Sequence, residues 1–84
     1  MAKRIVPSPL PSQLSPMSTK VLGDCVRYKR THLGLGIHDA AMLCNVSVST
    51  LSKIETAKGG VMFDKVLQVC QGLGIDLRID LEEK

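Results

Sequence analysis

Apolar residues recur at helical spacing through most of this chain and change to strict alternation near its end. Leu22, Cys25, Val26 and Tyr28 supply one stripe, with Arg27 and Lys29 on the outer side, which predicts an amphipathic helix ending near His32. It starts at Ser15 or Ser18: Ser15 followed by Pro16 pairs a capping hydroxyl with a proline suited to the first helical position. Leu35, between Gly34 and Gly36, is expected to plug the core between the first two helices. From Ile37 to Glu55 the pattern reads as two short helices joined at Asn45, a residue type that tolerates the left-handed conformation a tight reversal needs. Ala41 is small enough for a close crossing, and Val46, Leu51 and Ile54 pin the second helix. A loop from Ala57 to Gly60 precedes a further helix from about Phe63 to Leu73. There Phe63, Val66, Leu67, Val69, Cys70 and Leu73 cover more than one face, so burial on two sides is expected. Gly72 and Gly74 are expected to end it.

Residues 75–81, Ile-Asp-Leu-Arg-Ile-Asp-Leu, alternate apolar and polar in the period of a half-buried strand. A lone strand is not stable, and apart from Ile5 and Val6 no other segment offers it a partner. The pattern therefore predicts pairing of Ile75, Leu77, Ile79 and Leu81 with the same strand of a second copy across a two-fold axis. All four prolines fall within residues 1–16, which forbids a helix there and favours an extended arm. That arm is a disordered tail, or it brings Lys3 and Arg4 to DNA phosphate, or it docks Ile5, Val6 and Leu10 on a partner. The layout is thus an arm over 1–16, a helical domain over 17–74, and a strand with its tail over 75–84.

Composition narrows the picture. At 84 residues the chain is one small domain, of a size where oligomerisation is a common source of stability. With one Tyr, one Phe and no Trp, its core is aliphatic. The net charge of +3 is unevenly spread: +2 over residues 1–19, +3 over 20–58 and −2 over 59–84. The positive charge therefore lies with the paired short helices and the arm. Cys25, Cys44 and Cys70 form no C-x-x-C pair and read as buried thiols of a reducing cytoplasm. A zinc site using His32 or His38 is the alternative, but no ligand pair has finger-like spacing, and neither a metal nor a cofactor is expected. His38 beside Asp39 is a first-turn surface pair, since adjacent helical positions point about 100° apart. No nucleophile, base and orienting group can be grouped, so an enzyme is not expected. Nor does any apolar run reach membrane-spanning length.

Ala41, Val46, Ser47, Thr50, Leu51, Ser52, Ile54 and Glu55 resemble the helix-turn-helix of the Cro and phage-repressor superfamily, A-x-x-x-G-[VI]-S-x-x-T-[IL]-S-x-[IL]-E, with Asn45 in the usual glycine place. Leu22, Gly23, Val26, Arg27 and Arg30 similarly follow L-G-x-x-[IL]-R-x-x-R. The resemblance implies a mainly α, four- to five-helix lambda-repressor-like domain, here with the C-terminal β-strand pairing across a dimer. It also implies an internal ion pair between Arg30 and Glu55. Ser47 is the expected N-cap of the recognition helix, Val48 to about Thr56, and counts among the DNA-binding residues because the helix N-terminus it caps is aimed at DNA. By the same resemblance Val48, Ser49 and Lys53 are the base-edge candidates, with Ser52 at the groove wall and Lys58 near phosphate. Val48 suits a thymine methyl, Ser49 is a permissive hydrogen-bonder, and Lys53 reaches guanine or phosphate. Where many relatives begin the preceding helix with Thr-Gln, this chain has Gly36 and Ile37, so a polar contact to the DNA backbone is missing and Ile37 is open to a protein interface.

Together with the strand, the Ser-Pro helix entry resembles HipB-type antitoxins. That resemblance implies a cytoplasmic, nucleoid-associated homodimer that reads a palindromic operator in double-stranded DNA, represses its own operon and binds a HipA-like serine/threonine kinase toxin. A phage-type repressor without a toxin, and a protein-interaction module on the same fold, are the other readings.

Overall fold

The computed structural model describes residues 4–10 and 17–81. Its described residues hold four helices: α1 (Thr19–His32), α2 (Ile37–Cys44), α3 (Val48–Thr56) and α4 (Phe63–Leu73). Each boundary has a local cause. Ser18 caps α1, its Oγ accepting from the Val21 N–H at 3.1 Å; the Ser15–Pro16 entry lies outside the described residues, as do Lys3 and the last residues of the tail. Lys29, Arg30 and His32 occupy the last turn of α1, where cations oppose the negative end of the helix dipole. Asn45 closes α2 at φ 58° and ψ 45°, the left-handed geometry expected of it, and Val46 N–H returns to Ala41 O at 3.0 Å. Gly74 closes α4 at φ 77°, and Ile75 N–H returns to Cys70 O at 2.8 Å.

The helices enclose Val26, Ala40, Ala41, Cys44, Leu51, Ile54, Val66, Val69, Cys70 and Leu73. Pairing is tightest between α1 and α3 and between α2 and α4, and a glycine stands at each of those contacts. A Cβ on Gly23 would collide with the backbone carbonyls of Ile54 and Glu55, which no side-chain rotation relieves. On Gly72 it would lie 2.6 Å from Cys44 Sγ. Gly72 therefore does not end α4, as its position near Gly74 suggests; it lies inside the helix and lets α2 approach. Leu35 is half-buried against the core.

Two outer regions depart from the expected pattern. Phe63 is 67% exposed and Leu67 36%, so the second apolar side of α4 is open within one chain. Residues 75–81 run on from α4 without forming a strand among the described residues. Ile75 and Leu77 fold back onto the core, whereas Ile79 and Leu81 are 88% and 78% exposed. At the other end, residues 4–10 form neither helix nor strand and lie against α1: Ser8 N–H donates to Thr31 Oγ1 at 3.0 Å. This part of the proline-rich arm is seated on the domain.

Candidate nucleic-acid interface

Ser47 begins the outer helix of the pair. Its Oγ accepts from Thr50 N–H at 3.0 Å and donates to Thr50 Oγ1 at 2.9 Å. The hydroxyl is thus committed to capping, which is the role its sequence position predicts. From that cap α3 turns Leu51, Ile54 and Glu55 inward. Ser49, Lys53 and Thr56 are exposed and Ser52 is half-buried, and their spacing puts them on one face of the helix. Thr56 Oγ1 donates back to Ser52 O at 2.8 Å. Val48 is half-buried against the core, so only part of its side chain is open to a ligand. Lys58 is exposed on the following loop, with its N–H bound to Lys53 O at 3.1 Å.

The acidic residue of α3 is removed from that face. Glu55 is 5% exposed and meets Arg30 through two parallel contacts, Nε to Oε2 at 2.6 Å and Nη2 to Oε1 at 2.9 Å. This fork holds the end of α1 to the end of α3, and planar guanidinium geometry suits it. Arg30 Nη1 also donates to Leu35 O at 2.9 Å, tying down the loop before α2. Arg27 adds a longer contact, Nε to Oε1 at 3.4 Å, with its side chain 45% exposed. The sequence pattern had put Arg27 on the outer face; it reaches round to Glu55 while remaining nearly half in solvent. With Glu55 neutralised internally, the outward groups of α3 and its loop are hydroxyls and the ammoniums of Lys53 and Lys58. Such a surface can donate to phosphate and base-edge acceptors.

Other supports had no legible signal. Gln68 on α4 donates from Nε2 to Cys44 O at 2.9 Å and to Asn45 O at 2.8 Å, securing the turn between α2 and α3. Ala57 takes φ 56° at the end of α3, a place where its side chain gives no hint of a left-handed residue. Ile37 is half-buried on the core, and Gly36 caps α2 with backbone alone. His32 stacks on Tyr28 with ring centroids 3.9 Å apart, while His38 and Asp39 are exposed on the first turn of α2. The described residues contain no group of three or more His, Cys, Asp or Glu placed to hold a metal ion. None of their helices is long and apolar enough to cross a membrane.

A family model described as a helix-turn-helix domain matches residues 21–83. The chain belongs to this helix-turn-helix family. The matched span contains α1 from its third residue, the other three helices and the alternating segment, and the fold is of the Cro-like kind. Such a domain is that of a DNA-binding regulator. No curated protein matches the chain in sequence.

Proposed function

We propose that the protein is a homodimeric, sequence-specific repressor that reads a palindromic operator through α3. The observation that carries this reading is the division of labour within α3: its one carboxylate is buried under Arg30, while Ser49 and Lys53 face outward behind a capped N-terminus. In a helix-turn-helix the first turns of the second helix enter the major groove, and a dimer reads half-sites about 34 Å apart. Ser49, Lys53 and the exposed part of Val48 are the base-edge groups, Ser52 lines the groove wall, Lys58 meets phosphate, and Ser47 acts through the cap it forms. The second copy is supported by the exposed apolar residues Phe63, Ile79 and Leu81 and by the unpaired alternating segment. Pairing of Ile75, Leu77, Ile79 and Leu81 between copies would cover them.

Within that reading, the resemblance to HipB-type antitoxins supports autoregulation of an operon that also encodes a HipA-like serine/threonine kinase toxin, in a cytoplasmic, nucleoid-associated setting. A kinase reading frame beside this one supports the antitoxin role; a phage lysis or integrase region favours a plain repressor. The proposed activity is binding, with no catalytic step and no cofactor. The reading as a protein-interaction module draws on one observation, that Met42 and Leu43 on α2 are 80% and 57% exposed.

The deciding experiment is enrichment of duplexes from a random-sequence pool by the wild-type protein, followed by gel shift with Lys53→Ala. Enrichment of a palindrome, with specific binding lost in the variant and its melting temperature kept, is the expected result. If no sequence is enriched, the protein-interaction reading takes its place.

A further inference from the structure

Residues 4–10 form a strap that runs antiparallel to α1. Pro9 and Leu10 share a surface depression with Asp24 and Arg27, Ser8 N–H is bound to Thr31 Oγ1, and Ile5 Cδ1 lies 3.8 Å from where a Cβ on Gly36 would be. The strap therefore descends α1 toward the start of α2. Its sequence suits this path. Pro7 and Pro9 keep the backbone extended and carry no N–H, so Ser8 supplies the one backbone donor of that triplet. The acceptor is well made: Thr31 is 7% exposed, and its hydroxyl donates to the Arg27 carbonyl at 2.8 Å, which leaves an oxygen lone pair for Ser8.

The residue after Ile5 along this path is Arg4, which is exposed and only one Cα step of about 3.8 Å from the docked isoleucine. The two residues that open α2 there carry no polar side chain, the exposed His38 and Asp39 coming after them. Gly36 has none, Ile37 turns onto the core, and the guanidinium of nearby Arg30 is committed to Glu55 and Leu35 O. In a helix-turn-helix the first helix of the pair crosses the phosphate backbone.

We propose that the strap supplies the missing anchor: Ile5 and the Ser8–Thr31 bond position Arg4 at the mouth of α2, where its guanidinium contacts DNA phosphate. The inference rests on the DNA-binding reading above. Arg4 carries no base specificity in this role; it adds affinity and fixes the approach of α2.

The test measures the salt dependence of binding to a duplex enriched by the wild-type protein. Each phosphate contact contributes about 0.9 to the slope of log K against log salt. Arg4→Ala is expected to reduce the slope by about 0.9 per bound chain, with sequence preference and melting temperature unchanged, and Arg4→Lys to restore most of it. Ser8→Pro, which keeps the arginine but deletes the N–H donor that seats the strap, is expected to reduce the slope likewise. An unchanged slope for Arg4→Ala overturns the proposal while leaving the DNA-binding reading intact. A reduced slope for Arg4→Ala with a normal one for Ser8→Pro overturns the positioning by the strap. A wild-type protein that binds no duplex overturns the DNA-binding reading and this inference with it.

Discussion

Glu55 is the one acidic side chain buried among the described residues, and its cost is offset by the fork from Arg30. Truncating it leaves a guanidinium with 13% exposure facing no carboxylate, the case in which breaking a buried pair costs about 3–5 kcal/mol. At about 4–8 °C per kcal/mol for a domain of this size, Glu55→Ala is expected to lower the melting temperature by at least about 12 °C. Arg27→Ala removes a long contact from a side chain that is nearly half in solvent, so its effect is expected to stay below about 1 kcal/mol. Equal losses from the two variants in thermal melts would mean that Arg27, and not Arg30, carries the pair. The sequence was informative here because Arg30 and Glu55 each sit at a defined place in a matched motif. Arg27 was harder to read: one turn before Arg30, it lies at the border between the inward and outward sides of α1, and periodicity cannot say which way a long, flexible side chain bends.

The helix ends were legible wherever the capping residue is of a distinctive type. Ser18, Ser47, Asn45 and Gly74 all announce themselves, because a hydroxyl that accepts a backbone N–H or a residue that tolerates positive φ has few other uses at those positions. Gly72 was misleading for the same reason: it resembles a C-cap, yet its job is to admit Cys44 of α2, and close approach between helices far apart in sequence leaves no local mark. Equally hidden was the meeting of thiols at that seam. Cys25, Cys44 and Cys70 come from α1, α2 and α4; burial pushes all three pKa values up, and Cys70 is raised further by the nearness of Cys25 and Cys44. A thiol raised in the folded state contributes stability that is fully present below its unfolded value, about 8.5, and is lost as pH climbs through the folded one. Urea denaturation is therefore expected to give a steady unfolding free energy just below about pH 8 and a falling one above it. A variant with all three cysteines replaced by alanine should show a flatter profile. Stability that rises over the same alkaline range would contradict the assignment.

For the whole molecule the question is what covers the apolar surface left open by one chain. Leu22, Phe63, Leu77 and Ile79 line a single depression with Met17 and Arg78, so the open side of α4 and the alternating segment form one continuous surface. The alternation of residues 75–81 was readable, but pairing between copies is a property of an assembly, and one sequence states only that an edge needs a partner. The fold nevertheless separates the residues usefully. Leu77 packs on the core, so placing a charge there would damage the monomer as well as any dimer. Ile79 is 88% exposed and carries little of the monomer's stability, which makes it the position to change. Ile79→Asp puts a carboxylate into the proposed apolar interface, where desolvating an unpaired charge is costly, while a lone chain keeps that group in water. The expected outcome by sedimentation is a shift from dimer to monomer with helical content retained. Operator affinity should fall with it, because each half-site is then bound without its neighbour. A variant that stays dimeric would place the two-fold contact elsewhere on the molecule, and the exposed Met42 and Leu43 of α2 would be the next surface to alter.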